Sequence, residues 1–147
     1  MNASKALSQV QLASAIYDYI AAGILAFPVI AAWHLGSTML VTHELFGAVG
    51  SYPAFEPFHL LIINLFGGFT IMWSTLRIYS RQPIFGLCDG VLRWYFASLM
   101  LFYILVWSTS VMLYCFVVME ILWGSAQIWL FLAQRRQSQA VASPAFG

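Results

Sequence analysis

One apolar run of about 43 residues, from Leu92 to Gln134, limits what this chain can fold into. As a single helix it would measure roughly 64 Å at 1.5 Å per residue, whereas the hydrocarbon core of a bilayer is about 30 Å thick. The run must therefore fold back on itself. Its one polar cluster, Ser108-Thr109-Ser110, predicts a tight turn between membrane spans at 91–107 and 112–134.

The rest of the chain is similarly apolar, which predicts an integral membrane protein. Hydrophobic residues make up 62% of its 147 positions and charged residues 7%, whereas a typical soluble domain has about 25% charged residues. Two further spans are predicted at 12–35, where Pro28 should kink the helix, and at 58–77. The formal net charge of +1 excludes the basic surface that nucleic-acid binding requires.

The basic residues predict how the four spans are oriented. With four spans, every lysine and arginine falls on the same side of the membrane: Lys5, Arg77, Arg81, Arg93, Arg135 and Arg136. The positive-inside rule makes that side cytoplasmic, whereas three spans would put the last two arginines outside. The predicted fold class is therefore all-α, a bundle of four transmembrane helices with both termini in the cytoplasm.

Two segments lie outside the predicted spans. The long extracytoplasmic loop at 36–57 has no lysine or arginine, and its apolar residues suggest a short surface helix: Leu40, Val41, Leu45, Phe46 and Val49. This loop either binds a partner or ligand or simply covers the outer end of the bundle. The polar tail at 137–147 is predicted to be flexible.

Polar groups inside the spans need a partner or a purpose, because unpaired polar groups are costly in lipid. Asp18 and Arg93 lie at similar depth near the cytoplasmic side, with Asp89 in the loop nearby, and we expect Asp18 and Arg93 to form a structural ion pair. A second set is expected in the outer half of the bundle: His34, His59, Asn64 and Glu120. This second set forms either one ligand or proton site or separate interhelical hydrogen bonds.

The histidines raise the question of a haem or metal site. His34, His43 and His59 all lie near the predicted outer surface, and two histidines on facing helices can hold a haem. Glu56 and His59 have the spacing Glu-x-x-His, which places both on one helix face only where both are helical. Pro57 disfavours helical geometry at Glu56, so Glu56 is expected to cap a helix that begins at Pro57.

The chain resembles the DoxX and BphX-like group of small bacterial four-helix membrane proteins. The resemblance rests on chain length, four spans, and the segments "NLFGGFTIMWSTLR" and "FGLCDGVLRW", Asn64–Arg77 and Phe85–Trp94. It implies a bacterial cytoplasmic (inner) membrane location and an accessory role in a membrane system more than a particular reaction.

Two functions are predicted from these observations. The first is a non-catalytic accessory protein or subunit, which packs through its apolar helices and outer loop against other membrane subunits or itself. The alternative is a protein that binds a quinone, a lipid or a haem at the outer polar site. No serine, histidine and aspartate pattern typical of a nucleophilic enzyme occurs in the sequence, so the prediction leans away from an enzyme.

Overall fold

The computed structural model describes residues 3–46 and 52–142, the last two by their backbone alone. The predicted all-α class is confirmed, because every regular element in these two ranges is a helix. In chain order the elements are α1 (Ala3–Ala21), a 3-10 helix (Gly23–Ala26), α2 (Pro28–Trp33), a π-helical segment (His34–Met39), α3 (Leu40–Leu45), α4 (Pro57–Ser80), α5 (Pro83–Trp107) and α6 (Leu113–Ala142).

Three helices in the described part of the chain are long and apolar enough to cross a membrane. They are α4, α5 and the Leu113–Ala140 part of α6. Most of their large apolar side chains are exposed, whereas the residues buried most completely include Arg77, Gln11 and Gln127. This distribution is the reverse of that in a water-soluble domain, and it suits a protein whose solvent is lipid.

The predicted first span, 12–35, is not one helix. α1 begins at Ala3 and ends at Ala21, and the chain then passes through the 3-10 helix before α2 begins at Pro28. Phe27 is extended, with φ −103° and ψ 114°, as is usual for a residue before proline. Pro28 has no N–H to donate, so it starts a new helix instead of continuing the old one.

The predicted loop between the second and third spans is almost absent. α4 continues to Ser80 and α5 already begins at Pro83, so Arg81 and Gln82 alone join them. Arg81 ends α4 in the left-handed conformation, with φ 42°, and Pro83 occupies the first turn of α5. Asp89, which the predicted spans placed in a loop, therefore lies within α5.

The predicted outer loop, the predicted turn and the tail also differ from their predicted boundaries. The predicted loop at 36–57 contains the π-helical segment, α3 and an extended stretch at 52–56, and Val49 lies outside the described residues. α5 ends at Trp107 and α6 begins at Leu113, so the chain turns at 108–112. α6 continues to Ala142, so residues 137–142 of the predicted flexible tail are helical, and 143–147 lie outside the described residues.

α5 and α6 form the most closely packed helix pair, because glycines allow their backbones to approach. A Cβ atom added to Gly124 would lie 2.9 Å from the carbonyl oxygen of Gly90. α1 packs against both α4 and α6, with Leu7 against Leu130. These contacts bring α1, α4, α5 and α6 around one shared interior.

Candidate functional site

The interior of the bundle contains a charged cluster to which four helices contribute. Its members are Asp18 from α1, Arg77 from α4, Asp89 and Arg93 from α5, and Glu120 from α6. Arg93 follows the start of α5 by ten residues, or about 15 Å of helical rise. Asp18 and Arg77 belong to the last turns of α1 and α4, whereas Asp89, Arg93 and Glu120 lie further inside α5 and α6.

Arg77 is the most deeply buried charge, with no exposed side-chain surface. Its Nη1 donates to Asp89 Oδ2 at 2.6 Å and to Ser14 Oγ at 3.1 Å. Its Nη2 donates to Asp18 and to Ser74 Oγ. One guanidinium group thus joins α4 to α1 and α5.

Arg93 joins α5 to α1 and α6. Its Nε donates to Asp89 Oδ2 at 2.8 Å, and its Nη2 donates to both carboxylate oxygens of Asp18, at 2.7 and 2.6 Å. Its Nη1 contacts both oxygens of Glu120, at 3.2 and 3.0 Å. Each nitrogen of this guanidinium group therefore donates to a carboxylate. Hydrogen bonds between two charged groups are the strong ones in proteins.

Asp89 is the acceptor that both arginines share. Oδ2 also accepts from Gln127 Nε2 at 2.9 Å, and Oδ1 accepts from Trp73 Nε1 at 2.8 Å. A buried carboxylate is tolerated only when such donors replace its water shell. Four donors on one side chain meet that requirement.

A shell of neutral polar residues surrounds the charges and contains unpaired atoms. Gln127 Nε2 also donates to Ser14 Oγ at 2.7 Å, and Gln11 Nε2 donates to the carbonyl oxygen of Gln82 at 2.9 Å. Gln11 Oε1, Gln127 Oε1 and Arg77 Nε are buried, and no hydrogen-bond partner for them lies among the described residues. The cluster and its shell therefore contain hydrogen-bonding atoms that the described side chains do not satisfy.

The predicted pair of Asp18 and Arg93 is in direct contact, and it is one link of this larger network. In the described part of the chain, no hydrogen bond or ion pair joins the members of the predicted outer set to one another. Glu120 binds Arg93, while Asn64 Nδ2 donates to the carbonyl oxygen of Leu25 at 2.7 Å. His59 Nδ1 accepts from the backbone N–H of Glu56 at 3.3 Å, in a helix cap.

The three histidines do not share a site in the described part of the chain. His59 is held by the helix cap, His34 begins the π-helical segment, and His43 Nδ1 lies 2.6 Å from Ser110 Oγ. No group of three or more histidine, cysteine, aspartate or glutamate side chains suited to a metal ion occurs among the described residues. Cys88 and Cys115 are free and exposed.

A second candidate site, called the outer cavity after the predicted orientation of the chain, lies at the end of the bundle where α5 turns into α6. The cavity has a volume of about 390 Å³. Its walls come from the π-helical segment, the extended stretch, the end of α5, the turn and the start of α6. They include Leu35, Met39, Tyr52, Phe55, Trp107 and Phe116. Ser108, Thr109 and Ser110 add hydroxyl groups to an otherwise apolar lining.

Hydrogen bonds fix the polar side of the outer cavity. His43 and Ser110 are both buried and bonded to each other, and the Tyr52 hydroxyl donates to the carbonyl oxygen of Leu35 at 2.7 Å. Burial raises the pKa of Tyr52, so its hydroxyl stays protonated and keeps this bond at neutral pH. Thr109 Oγ1 is buried, and no partner for it lies among the described residues.

The sequence analysis missed Arg77, Asp89 and Gln127 as parts of one site. The first two were placed at the membrane surface because the predicted spans were too short. A signal was present, because Pro83 predicts a helix start that would have brought Asp89 and Arg93, four residues apart, onto one face of α5.

Comparisons with protein-family models, with curated proteins and with solved structures each gave no match. The resemblance to the DoxX and BphX-like group therefore stays a prediction.

Proposed function

We propose that this protein is a four-span membrane protein that binds an uncharged lipophilic small molecule, such as a lipid or a quinone, in the outer cavity. The observation that carries the proposal is the cavity itself. Its 390 Å³ lies within the roughly 300–1,000 Å³ usual for small-molecule sites. Such sites are lined mainly by apolar and aromatic groups with a few fixed polar ones, as here.

The charge of the cavity lining favours a neutral ligand. The polar side chains among its described lining residues carry hydroxyls, and these described residues include no lysine, arginine, aspartate or glutamate. A carbonyl or hydroxyl on the ligand would satisfy Thr109 Oγ1, while a chain or ring would lie against Trp107 and Phe116. The ligand would bind by apolar burial and be oriented by one hydrogen bond.

The proposed topology adds a fourth, broken span to the three apolar helices. α1, the 3-10 helix and α2 together form this span, supported by the packing of α1 on α4 and α6. Lys5, Arg81, Arg135 and Arg136 then lie at one end of the bundle, on the cytoplasmic side. The outer cavity lies at the opposite end, within reach of the outer leaflet.

Purification in mild detergent followed by extraction and mass spectrometry tests the proposal. We expect a lipophilic compound to copurify with the wild-type protein, and Met39→Trp to lower its amount severalfold because the indole fills the cavity. Val118→Trp is the matched control, since Val118 is 53% exposed on α6 and does not line the cavity. Equal amounts of the compound in both variants, or none in the wild type, would contradict the proposal.

A role as an accessory subunit is the second candidate, and α4 favours it. This helix packs on α1, the 3-10 helix and α2 and leaves one flank of large apolar residues exposed, among them Leu61, Leu65, Phe69 and Met72. A partner helix would fit this flank, as would lipid. The same detergent extract distinguishes the two on a native gel, because a subunit migrates with a larger complex and a lipid-covered protein migrates alone or as a homo-oligomer.

A further inference from the structure

The charged cluster does not balance its own charges. It contains two guanidinium groups, on Arg77 and Arg93, and three carboxyl groups, on Asp18, Asp89 and Glu120. With all five groups ionised, one negative charge is left over. An uncompensated charge inside a membrane protein costs several kcal/mol, so the cluster is expected to take up one positive charge.

The contacts and the exposure locate the surplus at Asp18 and Glu120. Asp89 accepts from both arginines through Oδ2 and from two further donors, so its charge is matched. Asp18 also contacts both arginines, but it shares the guanidinium group of Arg93 with Glu120, whose ion pair among the described residues is with Arg93 alone. These two carboxyl groups are also the more exposed members, at 14% and 15%, whereas the other three are exposed by at most 4%.

The surroundings of this pair contain little else that could supply the missing charge. Arg93 from α5 and Tyr17 from α1 face Glu120, with Asp89 on the far side of Arg93. Arg77 from α4 reaches Asp18 and is already shared with Asp89. No further lysine, arginine or histidine in the described residues forms an ion pair with either carboxyl group.

A separate observation shows that one buried acceptor in the cluster lacks a hydrogen-bond donor. The side-chain amide of Gln127 lies within the cluster, with Nε2 bonded to Asp89 and Ser14, and the residue is fully buried. Its Oε1 has no donor among the described residues. Buried acceptors of this kind are usually satisfied, so the cluster has room for a donor such as a water molecule.

We propose that Asp18 and Glu120 form a proton-binding site, in which the two carboxyl groups together hold one exchangeable proton. The proton converts one carboxylate into a carboxylic acid, which leaves two carboxylates facing two guanidinium groups. The partly exposed edge of the pair gives the proton a route in and out. Because the groups are coupled through Arg93, the proton belongs to the pair and not to one residue.

Labelling with dicyclohexylcarbodiimide, an apolar reagent that reacts with protonated carboxyl groups, tests this site in the full-length protein in detergent. We expect peptide mapping to find the adduct on Asp18 or Glu120 at neutral pH, and labelling to be lost as the pH is raised. In Glu120→Gln the charges are balanced, so labelling of Asp18 should also be lost. Glu56, which is exposed at the outer end, is the internal control that should stay unlabelled.

Three results would overturn the proposal. The first is an absence of adduct on both carboxyl groups from acidic to alkaline pH in the wild-type protein. The second is undiminished labelling of Asp18 in Glu120→Gln. The third is protection by sodium chloride at constant pH, which would assign the positive charge to a metal cation. The wild-type experiment does not depend on the folding of any variant, and infrared difference spectra with pH detect the same proton through the C=O stretch of the acid.

Discussion

Asp89 shows how much a single side chain can determine in this protein. It is a carboxylate with donors on both oxygens, from Trp73, Arg77, Arg93 and Gln127. Buried ion pairs add little net stability compared with apolar packing, but removing one partner from them is costly. Asp89 therefore serves mainly to fix the rotation of α4, α5 and α6 about their axes.

We expect Asp89→Asn to lower the free energy of unfolding by about 3 kcal/mol. The amide NH₂ group would face an N–H donor in either orientation, because both oxygens of Asp89 accept hydrogen bonds. Thermal unfolding in detergent measures the change. Glu44→Gln is the control, since Glu44 is exposed on α3 and its loss should change stability by less than about 0.5 kcal/mol; equal effects would contradict the role of Asp89.

The contact of Asp18 with Arg93 could be predicted, because both lie near the cytoplasmic ends of their predicted spans. Position along a span gives depth in the membrane but not helix rotation. The sequence therefore could not decide whether Glu120 contacts Arg93 or the polar groups of the outer half. The burial of Gln127 and its bond to Asp89 depend on the same rotation.

At the scale of the elements, α4 stabilises the break between α1 and α2. Asn64 donates to the carbonyl oxygen of Leu25, which the break leaves without a helical partner. One turn further along α4, Gly67 lies against the backbone of the 3-10 helix: a Cβ atom there would come within 2.3 Å of Ala26 N. Asn64 and Gly67 together provide the bond and the space that the irregular backbone needs.

We expect Gly67→Ala to destabilise the protein by about 2 kcal/mol, because the methyl group pushes the 3-10 helix away from α4. Gly68→Ala is a matched control on the next residue, where an added Cβ atom meets nothing within 4 Å. The midpoint of unfolding in detergent compares the two. Helix propensity alone would make Gly68→Ala neutral or slightly stabilising, so a similar loss in both variants would contradict the role of close packing at Gly67.

An element could be predicted from the sequence where nearby residues determine its start or end. Proline at the first position of α2, α4 and α5 marks each helix start in the sequence, and the polar residues at 108–110 mark the turn. The π-helical segment and the outer cavity were not predictable, because both depend on how the extended stretch at 52–56 packs across the bundle.

For the whole molecule, the orientation depends on the distribution of basic residues between the two ends. Lys5, Arg81, Arg135 and Arg136 belong to one end, whereas Pro53 and the turn at 108–112 belong to the other. Arg77 and Arg93 are neutralised within the charged cluster and add little to this asymmetry.

Single cysteines test the orientation in a background with Cys88 and Cys115 replaced by serine. In intact cells we expect a membrane-impermeant maleimide to label Pro53→Cys and not Ser138→Cys, since both positions are exposed but at opposite ends. Permeabilised cells should allow labelling of both. Labelling of both positions in intact cells would indicate an even number of spans between residues 53 and 138, and the reverse pattern would invert the proposed orientation.

The sharing of the charged cluster among four helices has a consequence for biosynthesis. Asp18 leaves the ribosome first, Arg77 and Arg93 follow on α4 and α5, and Glu120 arrives last on α6. Until α6 is in place, Arg93 lacks the carboxylate that faces its Nη1 and Asp89 lacks the amide of Gln127. A nascent chain stalled after α5 therefore has balanced charges but incomplete hydrogen bonds on Arg93 and Asp89, and such unsatisfied polar groups are what quality-control proteases and chaperones would meet in an unfinished molecule.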